Sequence, residues 1–186
     1  NVPFMLHLAR GRAMSRIISE LERLGYQWAY RVVDSACFGL PQRRRRVFLL
    51  ASHDVDPRAV LFGDESSPPR AQQKCRSVAC GFYWTEGLNG PGWAVDSVPT
   101  LKGGSAIGIP SPPAVVLPDG QVIKLDITDG ERLQGFTKNW TKPAEHIGRR
   151  DFRWRLVGNA VNVRAAAWLG ERLVNPGSVK SSTVCR

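Results

Sequence analysis

The chain has 186 residues, 42% of them hydrophobic, and its 26 Lys and Arg against 16 Asp and Glu give a net charge of +10. That length fits one domain, or one and a small second, with enough apolar residues for a real core. The charge favours a polyanionic partner, nucleic acid before an anionic membrane surface. No stretch reaches the ~20 apolar residues of a membrane span, and no signal-peptide pattern is present. The four cysteines, Cys37, Cys75, Cys80 and Cys185, show neither a zinc spacing nor a disulfide framework. No metal is expected, and reduced cytosolic thiols are the default. The charge is uneven: residues 1–53 carry 9 basic and 3 acidic groups, residues 54–126 carry 6 and 8, and residues 127–186 carry 11 and 5. Two basic ends flank a mildly acidic middle.

In chain order, Ile17, Ile18, Leu21 and Leu24 fall at helical spacing, and Gly25 ends a helix over 12–24. Gln27 to Asp34 reads as a strand. Ser35 to Pro41 is turn-like, and a second strand runs from about Arg45 to Ser52. Residues 54–70 break up into Asp, Pro, Ser and Gly, with Ser66-Ser-Pro-Pro69 as a boundary. Residues 71–118 are irregular and hold Trp84, Trp93 and the Gly- and Pro-rich loop Gly103 to Pro113. Pro118-Asp-Gly120 predicts a hairpin between Ala114–Leu117 and Gln121–Leu125. Thr128-x-x-Glu131 has the capping-box form before a short helix over 131–136. A final helix spans roughly Val161 to Leu173.

The most telling stretch is Gln42-Arg-Arg-Arg-Arg46, which runs straight into Val47, Phe48, Leu49 and Leu50. A basic run on a solvated tail has polar neighbours; this one enters a core strand. Side chains alternate along a strand, so Gln42, Arg44 and Arg46 share one face and Arg43 and Arg45 the other. One amide and two guanidiniums on one face suit phosphates and base edges, because Arg donates bidentately and stays charged. The bland alternative is a nuclear-localisation run or a solvated edge.

Three segments in order resemble the cytosine-5 DNA methyltransferases. Phe38-Gly-Leu-Pro-Gln-Arg-Arg-Arg-Arg-Val-Phe48 is similar to that family's eighth motif, Gln-x-Arg-x-Arg. Glu131-Arg-Leu-Gln-Gly-Phe136 with Trp140 is similar to the ninth, and Val157-Gly-Asn-Ala-Val161, opening a helix, to the tenth. Asn1-Val2-Pro3 resembles the end of a Glu-Asn-Val motif. The chain starts at Asn1 rather than Met, and the family's glycine-rich cofactor loop and Pro-Cys nucleophile loop do not occur in it. Cys37 lacks the Pro-Cys context and is not read as the nucleophile. The resemblance implies the C-terminal portion of such an enzyme.

The fold implied is α/β: the C-terminal part of a Rossmann-like S-adenosylmethionine-dependent methyltransferase domain, plus a small, irregular, mostly β target-recognition domain. The expected layout is a catalytic segment over 1–57, recognition over 58–148 including the ninth motif, a second catalytic segment over 149–175 and a tail over 176–186. The activity implied is methyl transfer from S-adenosylmethionine to carbon 5 of a cytosine flipped out of a specific duplex sequence, within a restriction-modification setting. By the resemblance, Arg46 contacts the cytosine's carbonyl oxygen, an electrostatic role. Arg44 holds a nearby backbone phosphate, Gln42 helps order the site, and Asn1 supports a catalytic Glu that precedes it. Asn159 and Val161 line a cofactor pocket only partly present in the chain. Thr100, in a Thr-Leu pair, joins Arg44 and Arg46 among the DNA-binding residues.

Each assignment has a plainer alternative. Arg46 could be a surface ion-pair residue, Gln42 a turn residue, Asn159 a helix N-cap, Asn1 a frayed terminus and Thr100 a strand residue. Two places depart from the family pattern: Thr128 and Asp129 stand where Arg-Glu is common, and Thr137 where Pro is common. The expected partners are duplex DNA and the enzyme's N-terminal half, in the same polypeptide or as a separate subunit, with no membrane. A cytoplasmic setting, in a prokaryotic cell or from a phage, is expected. The alternative function is a non-catalytic DNA-binding remnant or the recognition subunit of a split methyltransferase.

Overall fold

In the computed structural model, residues 1–62, 77–83, 92–103, 112–147 and 151–176 are described. The expected boundary at 66–69, Trp84, Cys75, Cys185, most of the 103–113 loop and the tail beyond Pro176 lie outside the described residues.

Helix α1 covers Arg12–Arg23, and Gly25 leaves it at a φ of 81°, a left-handed conformation that glycine adopts without strain. Strands β1 (Gln27–Asp34) and β2 (Arg45–Ser52) pair antiparallel from Gln27 opposite Ser52 to Asp34 opposite Arg45. Between them a 3-10 turn, Ser35–Phe38, is capped by Asp34, whose Oδ1 accepts from the Ala36 amide at 3.2 Å and the Arg44 amide at 2.9 Å. Helix α2 (Pro57–Phe62) stands where the composition suggested only a break. Its Val60 and Leu61 are sealed from solvent, and their carbonyls accept from Arg172 Nη1 and Arg31 Nη1, each at 2.7 Å. Two apolar side chains in a six-residue helix are too short a pattern for periodicity to register.

Four short strands, β3 (Cys80–Phe82), β4 (Trp93–Val95), β5 (Ala114–Val116) and β6 (Val122–Lys124), form a second antiparallel sheet in the order β4-β3-β5-β6. The β5–β6 hairpin turns at Pro118-Asp-Gly120 as expected, with Gly120 at a φ of 88°. Helix α3 (Ile127–Leu133) does carry a capping box, but two residues earlier than Thr128: the cap is Asp126 and its reciprocal partner is Asp129. A shorter acid fills both roles, which frees Glu131 for the interior. The last third holds two helices rather than one, α4 (Phe152–Asn159) and α5 (Val163–Val174). The Val157-Gly-Asn159 segment therefore closes α4 instead of opening a helix. The α5 cap is Asn162, whose Oδ1 accepts from the amides of Arg164 and Ala165.

The core has two parts. Ala29, Val33, Phe38, Leu61, Ala165 and Trp168 form one, with Phe48 and Leu50 against it. Val98, Leu101, Val115, Leu133 and Val157 form the other, with Trp154 against it. Helix α2 thus belongs to the first core and α4 to the second, although the expected boundaries at 57 and 149 assigned each to the opposite side. The 158–162 junction between α4 and α5 passes from one core to the other, and the candidate site lies there.

Candidate active site

The arginine run alternates in burial as its facing predicts: Gln42 and Arg44 are buried, Arg43 and Arg45 exposed, and Arg46 half-buried. Its entry is fixed by the recognition segment. Gln42 bridges Val98 in parallel; the Arg43 amide donates to the Val98 carbonyl at 2.9 Å and the Val98 amide to the Pro41 carbonyl at 2.8 Å. Thr100 Oγ1 donates to the Arg43 carbonyl at 2.9 Å.

Five of the expected residues meet at one small cavity of about 30 Å³. Asn1, Arg44, Arg46, Asn159 and Val161 line it, together with Phe48 and Asn162. They come from the N-terminus, the start of β2 and the α4–α5 junction. Asn1 is held there by its carbonyl, which accepts from the Val47 amide at 2.8 Å. Gln42 and Thr100 are not among the lining residues. Gln42 is fully sealed just behind the comb, and Thr100 spends its hydroxyl on the comb's backbone.

Arg44 is only 3% exposed. Its Nη2 donates to the carbonyls of Gly158 at 3.0 Å and Ala160 at 2.8 Å, so it ties β2 to the end of α4. Its Nε and Nη1 have no partner. Burial, and then the neighbouring Arg46 charge, push its pKa down to about 10, which leaves it charged at neutral pH. The expected phosphate contact therefore meets an inward-turned guanidinium with two free donors rather than an exposed one. Burial also lowers the Arg46 pKa, and Arg46 Nη1 donates to the Arg45 carbonyl at 2.8 Å.

Sequence reasoning missed two contributors. Asn162, the α5 cap, turns a buried Nδ2 without a partner beside the cavity. Tyr83, from the end of β3, lies in the electrostatic field of both Arg44 and Arg46, buried and with its hydroxyl unpartnered. No motif marks Tyr83; only the fold brings it near the run.

A volume of about 30 Å³ holds roughly one water, so these residues make an edge, not a whole cofactor pocket. They fit an edge of one: Asn162 offers a spare amide donor, Val161 an exposed apolar surface and Phe48 an aromatic wall.

Residues 1–78 match the C-5 cytosine-specific DNA methylase family. Over 96% of its length the chain is 52% identical to the Type II methyltransferase M2.BsuMI of Bacillus subtilis (strain 168). The chain belongs to the C-5 cytosine-specific DNA methylase family. It spans about half the length of that relative, 48%. The Type II methyltransferase M.BanI of Aneurinibacillus aneurinilyticus is 38% identical over 79 residues, 42% of this chain and 18% of that protein. Among solved structures, the Dnmt2 methyltransferase of S. pombe superposes with a TM-score of 0.57 at 15% identity, over 90% of this chain and 62% of that one. The Entamoeba histolytica methyltransferase EhMeth gives 0.59 at 14%, over 94% and 61%. These likenesses show an α/β methyltransferase fold. Among the described residues no helix is long and apolar enough to cross a membrane, and no His, Cys, Asp and Glu cluster could hold a metal ion.

Proposed function

We propose that these residues are the C-terminal part of a DNA (cytosine-5-)-methyltransferase that methylates carbon 5 of a flipped cytosine within a specific duplex sequence. The observation that carries this reading is the meeting of Asn1, Arg44, Arg46, Asn159 and Val161 at one cavity. Residues matched to three separate motifs have no reason to converge in a protein that merely binds DNA. Arg46 meets the cytosine's carbonyl oxygen, where a preorganised guanidinium stabilises charge that develops in the ring. Arg44 completes its hydrogen bonding on a phosphate oxygen beside the flipped nucleotide. Gln42 backs the comb, and Thr100 holds the recognition segment to it. Asn159 and Val161, with Asn162, form one edge of the S-adenosylmethionine pocket; when bound there, that cofactor supplies the methyl group.

The thiol that attacks carbon 6, the glutamate supported by Asn1 and the rest of the cofactor pocket come from an N-terminal half, in the same polypeptide or a separate subunit. Val2, Phe4, Leu8, Ile17, Leu24 and Tyr30 form an exposed apolar series over the first thirty residues, and covering it is the work of that half. The segment around residues 60–127 reads the target bases, while the basic flanks supply phosphate affinity. A cytoplasmic location, where such an enzyme meets DNA, follows from the same reading.

The test is a fusion of the half of the Bacillus subtilis relative that precedes the matched region to Asn1, assayed with tritiated S-adenosylmethionine and mixed-sequence DNA. The fusion should yield 5-methylcytosine, and the 186 residues alone should not. Label on an exocyclic amino group, or incorporation by the chain alone that a cysteine substitution abolishes, would overturn the proposal.

A further inference from the structure

We propose that Tyr83 is a positioning residue for the arginine comb, supplied by the recognition segment and acting through Arg46. The inference rests on the DNA-binding reading above. The stretch 81–103 touches the comb repeatedly. Val98 brackets Pro41 and Arg43 through their backbones, and Thr100 holds the Arg43 carbonyl. Lys102 and Gly103 lie so close to Gly158 that a Cβ there would fall 2.8 Å from the Gly103 nitrogen; the Gly158 carbonyl in turn receives Arg44. Tyr83 belongs to this clamp. Its amide donates to the Gly92 carbonyl at 3.3 Å, and the Lys102 ammonium sits 4.5 Å from its ring centroid.

The ring is 6% exposed and its hydroxyl has no partner. A phenylalanine would fill the same space without stranding a polar atom, so the oxygen is a cost to folding. Its electrostatic neighbours are Arg44 and Arg46, and Arg44 strands two N–H donors of its own. The shortfalls are complementary: guanidinium donors without an acceptor, and an oxygen that can accept. Burial first, against the pull of the two arginines, holds the phenol above its usual pKa and therefore neutral. In the DNA-bound state, with a phosphate on the comb, the Tyr83 oxygen accepts from the Arg46 guanidinium and fixes its plane.

The test uses the whole chain and a labelled mixed-sequence duplex, with anisotropy read over a salt series. Tyr83→Phe should weaken binding about 5-fold and lower the slope of log affinity against log salt by about one, with Tm unchanged or raised. In an Arg46→Gln background, Tyr83→Phe should change affinity less than about 2-fold, because residues that act as a unit are not additive. Additive losses, or a fall in Tm with Tyr83→Phe, would overturn the inference while leaving the functional reading intact. Failure of the unmodified chain to bind duplex DNA would sink both.

Discussion

Arg153 and Arg44 are both nearly sealed from solvent, yet their surroundings treat them differently. Every nitrogen of Arg153 is engaged: Nε on Thr141 Oγ1 at 2.9 Å, Nη2 on Glu131 Oε1 at 3.0 Å and Nη1 on Glu145 Oε1. Glu131 is equally complete. It also accepts from the Thr141 hydroxyl at 2.6 Å and amide at 2.8 Å, and from the Asn139 amide at 2.6 Å. Arg44 has two carbonyls on one nitrogen and nothing on the others. The unpartnered buried side-chain atoms belong to Gln42, Arg44, Tyr83, Gln134 and Asn162. Arg44 and Gln134 both donate to the end of α4, Gln134 through the Val157 carbonyl at 2.9 Å. Folded proteins satisfy almost all such groups, so a cluster of exceptions marks a place built for something other than stability. The Glu131 network stabilises the fold; the comb is held ready at the fold's expense.

The contrast breaks most easily on the satisfied side. Glu131→Ala should cost about 3–5 kcal/mol, since it leaves a buried guanidinium uncompensated; urea denaturation measures it. A loss near zero would mean the network is ornamental. Its pH behaviour sharpens the point. Burial works against the Glu131 charge, but the hydrogen bonds from Thr141, Arg153 and Asn139 outweigh it and hold the carboxyl below its ordinary value of 4.5. With the folded pKa depressed, this stabilisation is complete above the unfolded value and lost as pH falls through the folded one. Glu131→Gln should therefore flatten the stability curve below about pH 4.5.

On the unsatisfied side the loss should appear in function. In the complete enzyme, Arg46→Ala should cut single-turnover methylation roughly 10²–10³-fold while changing duplex affinity far less. Arg44→Ala should affect binding and flipping more evenly, and Arg43→Ala and Arg45→Ala, on the exposed face, should do much less. Four equivalent variants would reduce the comb to a generic basic patch.

This division explains what the sequence made legible. The helix at 12–23, the β1–β2 pair and the 114–124 hairpin follow from local periodicity and turn chemistry, and their bounds fall close to expectation. The comb's facing was legible because period 2 is a rigid rule. Helix α2 was hidden by its brevity, α4 by the charged residues that populate it, and the Asp126 cap by a nearby sequence with the same form. Tyr83 and Asn162 could not be found from spacing at all, because non-local packing brings them to the comb. The assignments that depend on motifs survive as a spatial cluster; those that depend on domain boundaries do not follow the two cores.

The Gly158 contact offers a smaller effect with an internal control. A methyl group there would meet backbone on Gly103 and Lys102 at 2.8 and 2.9 Å, atoms that cannot turn aside. Gly158→Ala should cost about 1–3 kcal/mol and loosen the clamp between recognition segment and comb, so DNA affinity should fall with it. Gly170, inside α5, has nothing within 4 Å of a built Cβ; Gly170→Ala should instead gain about 0.5–1 kcal/mol and leave affinity unchanged. Equal effects at the two sites would show that helix propensity, not the close approach, decides.

The smallest expected change runs in the opposite direction from most substitutions. Gln42 is completely sealed, and neither its Oε1 nor its Nε2 has a partner. An amide so placed costs about 1–3 kcal/mol against an apolar side chain of similar shape. Met has nearly the same length and flexibility and no strong polar demand. Gln42→Met should therefore raise stability by about 1 kcal/mol, read as a higher denaturation midpoint with an unchanged slope. If the amide is kept for the comb, the same variant should lose methylation in the complete enzyme, most visibly as a lower turnover rate. A stability gain without that loss would show that Gln42 is merely tolerated. A stability drop would show that its amide is satisfied in solution, and the line drawn between the Arg44 and Arg153 surroundings would then have to be moved.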